Sequence, residues 1–202
     1  GKTLFALATD PYAGPHLATN KLDRLSNCEP SIYEEDDARA MWERCLLANS
    51  VILDKIEAEA LEFIRGEAER FPKRTKIVSF SGGKDSAVTA ILVEKALGGV
   101  PLLFGDTTIE FPETYSYVQE FAETYGFSVF QEGPDTDFLS LCRVLGPPSR
   151  IMRWCCTVCK SRPINKLYNK LSGGVLSFDG IRRMESSRRA DYPRVVHVQK
   201  FS

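Results

Sequence analysis

The chain is expected to fold as an α/β domain, a doubly wound and mostly parallel sheet, with an N-terminal helical extension. Three observations lead there. From Lys76 onward, short apolar runs alternate with stretches of helical period, a pattern that builds a parallel sheet covered by helices on both faces. The first run ends in a glycine-rich turn that opens a helix, as at the βα junctions of open sheets. Ahead of Lys76 the apolar residues recur at helical rather than strand spacing. At 202 residues, 43% hydrophobic and 26% charged, one such domain with an appendage can bury its own core.

Residues 1–30 carry Gly, Pro and Asn without clear period and read as irregular. Ser31 followed by Glu34 forms a capping-box pattern, and the acidic run Glu34 to Asp37 favours a helix N-terminus. Trp42, Leu46, Leu53, Ile56, Ala60 and Phe63 then recur at helical spacing, with Asn49 on the same stripe. This gives one long helix or two, ending near Phe71-Pro72, and a packing or dimerisation role. The domain boundary falls between 1–72 and 73–202.

Lys76 to Phe80 reads as a buried strand, and Asp85 to Leu97 as a helix with Val88, Ile91, Leu92 and Ala96 on one face. Pro101 to Gly105 is a strand, Pro112 to Tyr125 a helix, and Phe127 to Phe130 a strand. A long connection follows. Pro163 to Leu171 is helical, and Val175 to Phe178 and Val195 to Val198 are strands. There is no internal repeat and no low-complexity tract.

No apolar run approaches the ~20 residues of a membrane span, and nothing at the start resembles a signal peptide, so a cytoplasmic location is expected. The sequence starts at Gly1 rather than Met, which suggests an artificial start or missing leading residues. Charge is uneven: residues 1–142 hold 13 Lys and Arg against 24 Asp and Glu, while 143–194 hold 12 against 3. The basic segment, rich in Arg, suits an anion-binding face. The alternative is mutual attraction of the two halves.

The turn Ser79-Phe80-Ser81-Gly82-Gly83-Lys84-Asp85-Ser86 is the most informative stretch. Gly82 and Gly83 permit left-handed backbone and let N–H groups approach an anion. The following helix points its positive end at the same spot. Ser81 and Ser86 add hydroxyls, and Lys84 adds a mobile charge. It is not a Walker A loop, which would need a glycine at position 78 and Ser or Thr at 85; the chain has Val78 and Asp85.

Ser81-Gly82-Gly83-Lys84-Asp85-Ser86 resembles the PP-loop of ATP pyrophosphatases and of the phosphoadenosine-phosphosulfate (PAPS) reductase family, adenine nucleotide α-hydrolases. Asp106-Thr107-Thr108-Ile109-Glu110-Phe111-Pro112-Glu113-Thr114 is similar to that family's Asp-Thr-Gly…Phe-Pro-Glu-Thr segment. Gly180-Ile181-Arg182-Arg183-Met184-Glu185-Ser186-Ser187-Arg188-Arg189 is similar to its Gly-x-Arg…Glu-Ser…Arg motif. The resemblance spans roughly residues 76 to 194. It implies a Rossmann-like three-layer domain, with ATP, PAPS or adenylyl sulfate (APS) as ligand and Mg²⁺ beside it.

The resemblance assigns nucleotide or phosphate binding to Ser79, Ser81, Gly82, Gly83, Lys84, Asp85, Ser86, Asp106, Thr107, Gly180, Arg182, Glu185, Ser186 and Arg189. Lys84, Asp85, Arg182 and Arg183 are the expected catalytic group, because guanidinium and ammonium groups stabilise charge on a departing pyrophosphate. Asp106, just past a strand end, is a candidate Mg²⁺ ligand or else a turn cap. Thr107 and Glu113 shape the pocket, and Glu185 orients an arginine.

Six cysteines stand at 28, 45, 142, 155, 156 and 159. Their clustering argues against a secreted disulfide framework and for a metal, a cluster or redox thiols. Cys155, Cys156 and Cys159 resemble the Cys-Cys…Lys segment of APS reductases, which contributes to a [4Fe–4S] cluster. The family's second Cys-x-x-Cys does not occur within the 202 residues, so the fourth ligand would be Cys142 or residues beyond this chain. Zinc or redox thiols, and inert buried cysteines, remain alternatives. Of the two histidines, His16 and His197, the latter lies in a strand pattern and reads as structural.

Three functions follow. In the first, an ATP pyrophosphatase cleaves ATP at the α-phosphate to activate an acceptor for sulfur incorporation, as in sulfur-transfer or DNA-phosphorothioation proteins. The intact loop favours it, and the basic 143–194 segment suits a nucleic-acid acceptor. In the second, a PAPS or APS reductase releases sulfite; those enzymes use a C-terminal cysteine, and none follows Cys159. In the third, a non-catalytic subunit binds nucleotide. Expected partners are a sulfur donor such as a cysteine desulfurase, a thioredoxin- or ferredoxin-type reductant, and a second copy through the N-terminal helices. No membrane partner is expected.

Overall fold

Strands with residues buried on both faces account for the architecture. In a computed structural model, residues 2–7, 35–187 and 189–199 are described. The Ser31–Glu34 capping box, His16, Cys28 and Arg188 lie outside them. Six strands form one sheet: β1 (Lys2–Leu7), β2 (Thr75–Phe80), β3 (Leu102–Gly105), β4 (Val129–Glu132), β5 (Val175–Asp179) and β6 (Val195–Gln199). Their order is β4-β3-β2-β5-β1-β6. All neighbours pair parallel except β6, which runs antiparallel to β1.

The helices are α1 (Glu35–Arg70), α2 (Lys84–Leu97), α3 (Pro112–Tyr125), α4 (Phe138–Leu145) and α5 (Arg162–Lys170). Along each central strand, side chains alternate between two buried faces. Val78, Phe80, Leu102, Phe104, Leu176 and Phe178 pack with Ile64 of α1, Ala90 and Val93 of α2, and Val118 and Phe121 of α3. On the other face, Ile77, Leu103 and Val175 pack with Leu167 and Tyr168 of α5. This is the doubly wound α/β arrangement expected from the alternating pattern.

Four details differ from the sequence reading. Lys2–Leu7 is not irregular: it is a strand, with Leu4 opposite both Leu176 and His197. A strand inside a sheet shows no polar–apolar alternation, so its pattern was silent. The long connection contains α4, started by Asp137, whose side chain accepts from the Ser140 N–H at 2.9 Å. On α2, Val88 is 57% exposed, and the buried face is Ser86, Ala87, Thr89, Ala90 and Val93. Finally, α5 is preceded by a π-helical turn, Cys156–Ser161.

Two units are distinguished by internal packing: 10–59, and 1–9 with 60–202. Within 10–59, the described part is the first two-thirds of the single helix α1, a solvated stretch that exposes Trp42, Leu47 and Val51. Among the described residues no helix is long and apolar enough to cross a membrane.

Candidate functional site

Parallel pairing brings three strand ends together, because Val78 stands opposite Phe178 and Phe80 opposite Phe104. The carboxyl ends of β2, β3 and β5 therefore border a common cavity of about 1030 Å³, where open α/β sheets bind ligands. Ser81, Gly83, Ser86, Thr107, Asp179 and Arg189 are among the residues that line it.

The loop between β2 and α2 is held by its own hydroxyls. Ser86 Oγ donates to the Gly83 carbonyl at 2.8 Å and accepts from the Ser81 N–H at 3.2 Å. With that proton committed, Ser81 Oγ is the donor to Ser86 Oγ at 3.3 Å. Ser81 and Ser86 thus shape the loop from within, beyond the ligand-donor role their positions suggested. Gly82 has φ +75°, and a Cβ there would touch Thr114 of α3 at 3.4 Å. Gly83 is the N-cap of α2 without any side-chain cap, so the first amides of α2 are left for an anion.

Charged groups from the third motif reach the same place. Asp85 Oδ2 lies 3.1 Å from Arg182 Nε and 3.8 Å from Lys84 Nζ. Arg182 pairs with Glu185 at 3.4 Å, and Glu185 also pairs with Arg189. Glu185 therefore orients two arginines, as one was expected to be. Gly180 makes this approach feasible: a Cβ there would sit 2.6 Å from the Asp85 carbonyl oxygen and 2.6 Å from Thr89 Oγ1. Arg183 turns elsewhere, donating to the Tyr192 carbonyl at 3.0 Å, and Ser186 is exposed.

Asp106 stands at the end of β3, and both carboxyl oxygens are engaged. Oδ1 accepts from the Thr108 N–H at 2.7 Å and Tyr115 Oη at 2.6 Å; Oδ2 accepts from Gln131 at 2.9 Å. Burial pushes this carboxyl up, but the Tyr115, Thr108 and Gln131 hydrogen bonds outweigh it and hold the group below the usual carboxylate range. The same bond pushes Tyr115 up to about 12. These contacts are those of a turn cap, the alternative considered for Asp106. Thr107 lines the cavity and donates to Glu110 at 2.8 Å. Glu113 is exposed in the first turn of α3, and Glu110 occupies the cavity wall instead.

Cys142 on α4 is half-buried, as is Cys155; Cys156 is exposed and Cys159 buried on the π-helical turn. Burial, then the neighbouring Cys155, Cys142 and Cys156, push the Cys159 thiol up. Trp154, just before Cys155, stacks on Phe138 of α4 at 5.5 Å and donates to the Gly146 carbonyl at 3.1 Å, which ties α4 to the cysteine segment. Yet among the described residues no three His, Cys, Asp or Glu side chains converge on a point where a metal ion could bind. As disposed, the cysteines do not fit a four-thiolate cluster. His197 packs edge-on against Phe71 at 5.9 Å.

The sequence reading missed Asp179. It is 8% exposed, at the end of β5, on the cavity wall. Burial pushes its carboxyl up to about 6, although Ser79, Ser177 and the charge of Lys160 pull it back. A lone carboxylate after four apolar or small residues gives no sequence signal of this kind; only its strand register places it inside.

The family model described as the phosphoadenosine phosphosulfate reductase domain covers residues 75–202. The chain is 36% identical over 162 residues to an uncharacterized protein of Methanocaldococcus jannaschii, which covers 79% of this chain and 33% of that protein. It is 32% identical over 146 residues to the adenosine 5'-phosphosulfate reductase of Streptomyces coelicolor, covering 71% of this chain and 59% of the reductase. The chain thus spans about a third to three-fifths of these relatives. The phosphoadenylyl-sulfate reductase of Candida auris, solved as a phosphate complex, aligns with a TM-score of 0.49 and 22% identity, over 61% of each chain.

Proposed function

Since the chain belongs to the phosphoadenosine phosphosulfate reductase domain family, we propose that it is an enzyme of sulfur metabolism that binds ATP and cleaves it at the α-phosphate. One observation carries this reading. Ser81, Gly83 and Ser86 of the loop line one cavity at the strand ends with Glu185 and Arg189, and Lys84 and Arg182 both approach Asp85 on its wall. That array suits a polyphosphate: backbone donors and the helix end hold oxygens, and the cations balance their charge.

In the step proposed, an acceptor oxygen forms a bond to the α-phosphorus as the bond to the bridging oxygen breaks. Pyrophosphate departs with that electron pair. Its growing charge is met by Lys84 and Arg189, while Asp85 holds Arg182 in position. ATP enters as its Mg²⁺ complex. The acceptor is left adenylated, for a sulfur donor such as a cysteine desulfurase to displace AMP. A nucleic-acid acceptor suits the basic 143–194 segment.

A second reading, reduction of a sulfonucleotide to sulfite, is favoured by the wall of the cavity itself. Lys160 and Ser161, which line it, belong to the π-helical turn that carries Cys156 and Cys159. Two thiols would oxidise to a disulfide as sulfite leaves, and a thioredoxin-type reductant would restore them. Incubation of the full chain with ATP and Mg²⁺, and separately with PAPS or APS and a thioredoxin-type reductant, decides between them. Pyrophosphate released from ATP is the expected result. Sulfite release instead would establish the second reading, and binding without either product would leave a nucleotide-binding subunit.

A further inference from the structure

Asp179 carries an unfilled hydrogen-bonding position beside the phosphate loop. Its Oδ1 accepts from Ser177 Oγ at 3.4 Å. Its Oδ2 is buried and has no hydrogen-bond partner among the described residues. Ser177 accepts from Tyr168 Oη at 3.3 Å. Ser79 Oγ lies 3.0 Å from Ser177 Oγ. Ser177 thus holds Oδ1 and is itself held by Tyr168, and none of these bonds reaches Oδ2. A buried carboxylate oxygen lacking a donor is costly, so a group that supplies one is favoured there.

The identity of that group follows from charge. Phosphate oxygens are acceptors and negative, and the carboxylate repels them. Phosphate is already served by the loop amides, Lys84 and Arg189. Within a nucleotide, N–H and O–H donors lie on the nucleoside half, as ribose hydroxyls and the exocyclic amino group. The cavity of about 1030 Å³ leaves room for that half beside the phosphates, at the upper end of the usual range for ligand pockets.

We propose that Asp179 Oδ2 accepts a hydrogen bond from the nucleoside half of the bound nucleotide, and so distinguishes a nucleotide from free pyrophosphate. This rests on the nucleotide reading given above. The test is calorimetric titration of the full chain and of its Asp179→Ala and Asp179→Asn variants. The probes are ATP, inorganic pyrophosphate, and ATP analogues lacking the 2'-hydroxyl, the 3'-hydroxyl or the 6-amino group.

Asp179→Ala is expected to weaken ATP by about tenfold or more and to leave pyrophosphate unchanged or tighter. One analogue should bind the unaltered chain correspondingly less well than ATP, yet bind Asp179→Ala no less well than ATP does. Asp179→Asn keeps the shape and an acceptor oxygen, so it should lose less for ATP and nothing for pyrophosphate. It carries the comparison should the alanine variant not fold. Equal ATP affinity in all three proteins would overturn the proposal. So would a parallel loss for ATP and pyrophosphate, which would make Asp179 a support for the loop. An unaltered chain that binds pyrophosphate but not ATP would remove the nucleotide reading, and this inference with it.

Discussion

Gly180 and Thr108 show how single residues set the site. At Gly180 any side chain would collide with the Asp85 carbonyl, so β5 can end against the first turn of α2 only through glycine. Thr108 adopts φ +66°, a strained choice for a β-branched residue, where the resembled motif carries glycine. Its hydroxyl accepts from the Phe138 N–H at 2.8 Å, which ties the turn after β3 to α4 and offsets the strain. Asp179 makes the sharpest residue-level prediction. Folding raises its pKa from 3.8 to about 6, so the folded chain holds the proton more tightly than the unfolded one. The associated stability is present below the unfolded value and is lost as pH rises through about 6. The loss is roughly 3 kcal/mol from ~1.4 kcal/mol per tenfold change. In urea denaturation without nucleotide, Asp179→Asn should be more stable than the unaltered chain at about pH 8, with the advantage fading towards pH 4. An advantage of equal size at both pH values would show that the carboxylate's charge is not the cause.

At the scale of elements, α3 anchors one side of the loop. Phe121 stacks on Phe80 at 4.8 Å and Phe127 at 5.7 Å, with Tyr125 at 4.7 Å. The same helix presents Thr114 and Val118 to Gly82. Phe121→Ala should cost about 3–5 kcal/mol through lost burial and the cavity left, read as a lowered urea midpoint with the denaturant slope unchanged. A cost under 1 kcal/mol would mean that α3 is not part of the packed core. The limits of the sequence are clearest among elements too. β2, β3 and β5 were legible because apolar runs were broken by turn residues and helical stretches. β1 was not, since a central strand lacks alternation and its partners lie more than 160 residues away. α4 hid behind a weak cue, the lone cap Asp137. The π-helical turn has no periodic signature at all, and it decides which cysteines are buried.

For the molecule as a whole, the three motifs predicted one site because a parallel sheet puts successive strand ends on one edge. That much could be read from residue order: the loop, Thr107, Glu185 and Arg189 all line one cavity there. Position within the site could not. Asp106 ends β3 beside the turn it caps, Arg183 points to Tyr192, and Glu110 stands where Glu113 was expected. Such distinctions depend on hydrogen-bond partners from other elements, such as Tyr115 and Gln131 for Asp106. In the proposed function the Ser81–Ser86 loop holds the phosphates of an adenine nucleotide. Titration of ATP and Mg²⁺ into the unaltered chain and a Lys84→Ala variant tests it most directly. Lys84 is 76% exposed on its side chain and, among the described residues, forms an ion pair only with Asp85, at 3.8 Å, so its removal should leave the fold intact. Binding to Lys84→Ala is expected to be at least about tenfold weaker, the scale of one charge-assisted contact to phosphate. Equal affinity in the two folded proteins would contradict it and place the phosphates elsewhere.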